Sequence, residues 1–260
     1  MKQLCNDLLK ENEQLDELVS RIEQDQWARR TSFYTWTVYD ELAHLHCFDL
    51  AVLRSIQNPR DFVEQEVVLF MNKMQQKTRI ADIARNRLGD LPPEELRSNW
   101  RRTYRKMVEV FSKLDSKARI PWYGPEMSAR SSATARLMEA WAHGQDLFDT
   151  FNVKRKPTER LIHIAHLGVS TFAWSFLNRG LVIPSEKPYV ELISPRGNLW
   201  KWNEPSICDY VQGEAEEFCL VVTQRRNVLD TSLLSSGSGA TWMQIAQCFA
   251  GPASNPPAPR

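Results

Sequence analysis

Apolar residues recur at near-helical spacing through most of the first 180 positions. Leu4, Leu8, Leu9, Leu15, Leu18 and Ile22 predict one amphipathic helix over 2–26, with charges between them. Residues 31–36 show no helical pattern and read as a connection. Thr37 precedes Val38-Tyr39-Asp40, an N-cap candidate with an acid in the first turn, and opens a helix over 38–56. Further helices are expected over 62–76, 80–87 and 93–114, the last opened by Pro92-Pro93. A Pro/Gly/aromatic loop around Trp122 and Tyr123 precedes a helical run over 131–151. Thr158 caps another run to about 178, closed by Gly180.

Beyond Gly180 the period changes. Tyr189-Val-Glu-Leu-Ile193 alternates and is β-branched, Pro195-Arg-Gly-Asn198 is a turn, and Leu199-Trp-Lys-Trp202 completes a hairpin. A third strand is expected over 207–211, a helix over 214–223, and a last helix over 242–249 opened by Thr241. The Pro-rich end, 253–260, cannot form a helix and is expected to be loose. The organisation predicted is a helical bundle over 1–180 and a small α+β domain over 181–252.

Composition adds limits. Hydrophobic residues are 42%, charged residues 25% and the net charge is +1. These are values of a globular chain with no electrostatic footprint for nucleic acid. No apolar run approaches the roughly 20 residues of a membrane span. The first 18 residues are amphipathic and acidic, unlike a signal or transit peptide, so a cytoplasmic location is expected. The five cysteines are widely spaced, with no CxxC pair, and read as buried reduced thiols. Nucleotide-binding, serine-hydrolase and HExxH motifs are absent. Oligomeric state is not legible.

The chemistry concentrates in Arg136-Leu-Met-Glu139-Ala-Trp-Ala-His143-Gly-Gln-Asp146. Glu139 and His143, four apart, share a helix face and can hold one divalent metal together; they could also be a simple surface pair. A third ligand must come from elsewhere. His44 is the best candidate, against the plain alternative of a hydrogen-bonded core imidazole. His46 points about 200° away from His44 on a helix and cannot join it. His163 and His166 share a face and could be a second ligand pair, an acid–base pair or core residues; they read as core or pocket lining, with His166 a candidate acid–base group. Asp146 could orient the His143 ring or pair elsewhere. Arg136 suits an anionic substrate or an ion pair. Trp122, Tyr123 and Trp141 are candidate substrate walls.

These residues resemble a known superfamily. Trp36-Thr-Val-Tyr-Asp-Glu-Leu-Ala-His44-Leu is similar to the second-helix signature of DinB-like four-helix bundles, in the branch containing mycothiol-dependent maleylpyruvate isomerase. The Glu139/His143 run resembles the matching metal-ligand helix. Asp209-Tyr-Val-Gln-Gly213, Thr223-Gln-Arg225 and 242–251 resemble the appended α+β domain. The resemblance implies a mainly α fold and a divalent metal on His44, Glu139 and His143. That metal would be zinc first, with nickel or iron as alternatives. It also implies a small-molecule substrate, altered next to a carbonyl by isomerisation, addition or elimination, and a low-molecular-weight thiol as a further cofactor. A thiol-independent cyclase, lyase or pericyclic catalyst of secondary metabolism and a non-catalytic metal or lipid binder stand as alternatives, because this superfamily hosts several activities.

Overall fold

The computed structural model describes residues 1–260 and divides into two compact units, Met1–Lys154 and Arg155–Arg260. In the first unit, α1 (Lys2–Val19), α2 (Val38–Gln57), α6 (Pro93–Lys113) and α7 (Ala129–Thr150) form a four-helix bundle. Its core includes Leu15, Val38, Leu42, Leu45, Trp100, Tyr104 and Leu147. The first helix ends earlier than the apolar pattern suggests. After Val19 the chain turns and continues as a short 3-10 helix, Gln24–Ala28, which buries Trp27.

The N-cap read at Thr37 is present. Its hydroxyl accepts from Asp40 N, and the Asp40 carboxylate accepts from Thr37 N at 2.8 Å. This reciprocal arrangement satisfies two orphan donors at once. Arg85 of α5 (Ile80–Leu88) adds an ion pair to Asp40, tying the start of α2 to a neighbouring element. Ser128 caps α7 with a one-way bond, its hydroxyl accepting from Ser131 N at 3.0 Å.

Between α2 and α5 the expected single helix is divided. A short α3 (Pro59–Asp61) leads into a π-helical stretch, Phe62–Val67, and then α4 (Val68–Gln75). Two-residue strands β1 (Arg119–Ile120) and β2 (Met127–Ser128) pair antiparallel and close the Trp122/Tyr123 loop at its base.

In the second unit, β3 (Tyr189–Ile193), β4 (Leu199–Trp202), β5 (Tyr210–Glu214) and β6 (Leu234–Ser236) form a sheet of order β4-β3-β5-β6. The β3–β4 hairpin is antiparallel, whereas β3 and β5 run parallel. Four short helices complete the unit: α8 (Leu161–Ser170), α9 (Phe172–Leu177), α10 (Ala215–Val222) and α11 (Gly237–Ile245).

Several boundaries differ from the expectation. The run 158–178 is two helices, α8 and α9, and both belong to the second unit rather than to the bundle. The reason lies at Gly168 of α8. A Cβ there would meet Phe218 and Val222 of α10 at 3.0 Å, so a glycine lets the two helices approach. The last helix begins at Gly237, not near Trp242. A Cβ on Gly239 would lie 2.4 Å from Tyr210 O, and the Asp209 carboxylate accepts from Gly239 N at 3.0 Å. Gly239, with no side chain to clash, lets the helix start against β5. Residues 253–260 are irregular but tethered: Ser254 O accepts from the Gln224 amide at 2.8 Å, and Pro257 O from Asn227 at 2.8 Å. All five cysteines are free, and Cys208 is exposed rather than buried.

Candidate metal centre

The site is built from α2 and α7. Helical spacing stacks Glu139 and His143 on one face of α7, and α2 presents His44 to that face. Glu139 Oε2 lies 3.0 Å from His44 Nε2 and 3.2 Å from His143 Nε2. The three candidate ligand atoms all fall within 4.8 Å of one another. Both imidazoles are buried, while the Glu139 side chain keeps about a quarter of its surface open (23%), the one partly open edge of the set.

A carboxylate that no sequence signal singled out stands behind His143. Glu41, one turn before His44 on α2 and 1% exposed, sets Oε2 2.6 Å from His143 Nδ1. A carboxylate accepts, so Nδ1 carries a ring proton, and Nε2 is the nitrogen turned toward Glu139. The other oxygen of Glu41 accepts from the Thr31 hydroxyl at 2.7 Å. Asp146 Oδ2 is 3.8 Å from the same Nδ1, farther than Glu41, so Glu41 rather than Asp146 makes the hydrogen bond that orients the ring.

The protonation states suit a cation. Burial first, and then the nearby His143, push the His44 imidazole down to about 4, against the pull of Glu139. Burial opposes ionisation of Glu139, but hydrogen bonds from His143 and His44 outweigh it and hold the carboxyl well below its ordinary range. Near neutral pH the set holds a neutral His44 imidazole beside an ionised Glu139 carboxylate. Two imidazole nitrogens and a carboxylate oxygen that converge in a buried site can share one positive centre between them. The residues therefore fit a divalent metal with nitrogen and oxygen ligands, and three protein ligands leave further positions for exchangeable groups.

Aromatic rings enclose the histidines. Trp36 stacks on His143 at 5.7 Å with an interplanar angle of 3°, and its centroid is 5.2 Å from His44. Phe33 meets His143 edge-on at 5.2 Å, and Phe48 lies 4.6 Å from His44. Phe33 and Trp36 belong to the segment that reads as a plain connection. It is a strap, closed by Thr31 N donating to Trp36 O at 2.7 Å, with Tyr34 and Thr35 at φ of 46° and 61°. Two consecutive non-glycine residues in the left-handed region cost backbone strain that the surroundings must hold.

The remaining candidates fall in different places. Arg136 is not open to an anion: it is 4% exposed, donates to Asp49 Oδ1 at 2.9 Å and to Leu45 O at 3.3 Å, and so braces α7 against α2. Trp122 and Tyr123 each touch Phe48, which touches His44, so they stand one ring away from the ligands. The Tyr123 hydroxyl accepts from Arg87 at 2.7 Å and donates to Glu66 at 2.8 Å. Trp141 is buried, two positions from both Glu139 and His143, which turns it about 200° away on the helix. The rings beside the ligands are Phe33, Trp36 and Phe48 instead. His166 is exposed in the second unit, where its Nδ1 accepts from Trp202 Nε1 at 3.2 Å. His46 is buried away from the site, and burial, then Arg102 and Arg54, push its imidazole down to about 4.

A bundle that joins a His/Glu/His set across two helices, followed by a small α+β unit, defines a class of proteins with a candidate metal centre. Residues 8–148 match the family model for the mycothiol maleylpyruvate isomerase N-terminal domain, and the chain belongs to that family. An uncharacterised protein of Mycobacterium tuberculosis strain H37Rv is 38% identical over 247 residues, covering 95% of each chain, and its counterpart in strain CDC 1551 matches equally. The crystal structure of the mycothiol-dependent maleylpyruvate isomerase superposes with a TM-score of 0.52 at 12% identity, over 86% of this chain and 89% of that one. A histidine-to-alanine mutant of that isomerase superposes with a TM-score of 0.53 at 11% identity, with the same coverage. At this identity the likeness is one of fold. No helix is long and apolar enough to cross a membrane.

Proposed function

We propose that this protein is a metal-dependent enzyme acting on a small organic substrate next to a carbonyl, by isomerisation, addition or elimination. A low-molecular-weight thiol serves as its second reactant. His44, Glu139 and His143 hold the metal, zinc foremost. The observation that carries the reading is the convergence of two imidazole nitrogens on one carboxylate oxygen, at 3.0 and 3.2 Å. Family membership supports the thiol, and the related isomerase makes maleylpyruvate the first compound to try.

A bound divalent metal supplies Lewis acidity, polarising a carbonyl oxygen or lowering the pKa of a bound thiol or water. The protein's own residues do the rest. Glu41 keeps the His143 proton on Nδ1. Phe33, Trp36 and Phe48 exclude water and offer flat apolar faces to a conjugated substrate. Trp122 and Tyr123 extend this wall outward. Asp146, 3.8 Å from His143 Nδ1, stands beside Glu41 as a second carboxylate behind the ring. Arg136 has a bracing role.

Those aromatic walls favour one second reading, a thiol-independent cyclase or lyase working on a flat apolar compound. Zinc-loaded protein incubated with maleylpyruvate and related unsaturated keto acids, with and without mycothiol, separates the two. The reading expects loss of substrate absorbance only when thiol is present. Turnover that ignores the thiol would favour the second reading, and a metal-free protein would remove both.

A further inference from the structure

Glu41 reaches both the candidate centre and the aromatic strap through its side chain's two oxygens: one accepts from His143 Nδ1 at 2.6 Å and the other from the Thr31 hydroxyl at 2.7 Å. Thr31 is 6% exposed and stands at the root of the strap, where its backbone N donates to Trp36 O at 2.7 Å and Trp36 N donates to Phe33 O at 2.9 Å. Arg30 and Thr37 form a bridge at the strap's base. The strap's two rings then rest on His143, the imidazole that Glu41 holds.

We infer that Glu41 is a positioning residue for the metal ligand His143, and that Thr31 couples the aromatic strap to this carboxylate, so that metal affinity and strap closure are linked. The inference rests on the metal reading of His44, Glu139 and His143 and deepens it. A carboxylate behind a ligating imidazole fixes the tautomer and raises the basicity of the nitrogen that meets the metal. The same carboxylate orders the strap through Thr31. A metal that locks the His143 ring locks Glu41, and Glu41 locks Thr31. Linkage is reciprocal, so a strap that has lost its Thr31 hydroxyl must also bind metal less tightly. The strain at Tyr34 and Thr35 gives the strap a reason to open when this tie is cut.

Glu41, His143 and Asp146 also place three ligand atoms within 4.8 Å, a set that would suit a cation by itself. The Thr31 bond and the short contact to Nδ1 occupy both oxygens of Glu41, which favours the positioning role.

The test uses the full chain and cobalt(II) as the metal. Affinity is measured by chelator competition, ligand geometry by the cobalt absorption bands, and strap order by hydrogen exchange of the Thr31 and Trp36 amides with and without cobalt. Wild type should bind one cobalt per chain and slow both amides on binding. E41Q should bind about 10- to 100-fold more weakly, with shifted absorption bands. T31V should bind more weakly by a smaller factor and lose the cobalt-dependent slowing, while T31S restores both. T31V and T31S probe the coupling even if E41Q folds poorly. Wild-type affinity and slowing in T31V, or wild-type affinity in a folded E41Q, would overturn the inference while leaving the metal reading intact. Two cobalt ions per wild-type chain, one of them lost in E41Q, would make Glu41 a ligand and overturn it as well. A wild-type chain that binds no cobalt would overturn the metal reading itself, and this inference with it.

Discussion

Glu139 on α7 and His44 on α2 are 95 residues apart in the chain, yet Oε2 and Nε2 meet at 3.0 Å inside the bundle. Neither helix could make the centre alone. α7 contributes two of the candidate ligands because they are four positions apart, and α2 must hold a fixed height and rotation to bring the third to them. The Thr37–Asp40 capping box and the Arg85 ion pair fix where α2 begins, and the buried pair of Asp49 and Arg136 fixes how it sits on α7.

That buried pair gives the first prediction. Arg136 and Asp49 expose 5% and 3% of their side chains. Burial raises the Asp49 carboxyl, and the Arg136 guanidinium opposes that rise. Arg136→Leu leaves a buried carboxylate without its cation and should destabilise the fold by about 3 kcal/mol or more. Chemical denaturation of the variant measures this, and unchanged stability would contradict the bracing role.

A second prediction concerns pH. His46 is buried and titrates at about 4 in the fold, against 6.5 as an ordinary imidazole. The unfolded chain therefore binds its proton first. His46 contributes stability that is full above about 6.5 and is lost progressively as the pH falls towards 4. The effect is on the order of 3 kcal/mol at most. Thermal melts between pH 7 and pH 4 should show a steeper acid loss in wild type than in His46→Gln. Parallel curves would contradict the assignment.

The third prediction addresses the second unit. Gly239 has no room for a side chain, since a Cβ would lie 2.4 Å from Tyr210 O. Gly239→Ala should push α11 off β5 and destabilise that unit by about 2 kcal/mol. Hydrogen exchange resolved by segment should show faster exchange in β5 and α11, with the first unit unchanged. A variant with native protection in both elements would contradict this packing.

Much of this arrangement is legible in the chain. The 3.6-residue pattern marks α2, α6 and α7, the period-four spacing marks Glu139 and His143, and Thr37 marks the start of α2. What escapes has physical reasons. Glu41 looks like an ordinary first-turn acid, because its partners lie 10 and 102 residues away and nothing local announces either bond. Phe33 and Trp36 sit in a strap without periodicity, so pattern gives them no face. Arg136 next to Glu139 suggests an anion site until Asp49, 87 residues away, is seen to occupy it. The start of α11 is hidden because Gly237-Ser-Gly239 weakens the helical signal where close approach to β5 demands it.

The account depends most on whether His44, Glu139 and His143 hold a metal. Elemental analysis of purified wild-type protein, beside His44→Ala and His143→Ala, tests this directly. The account predicts close to one divalent metal per wild-type chain and strong loss in both variants, each still folded by circular dichroism. Metal-free wild type, or full metal content in both variants, would contradict it.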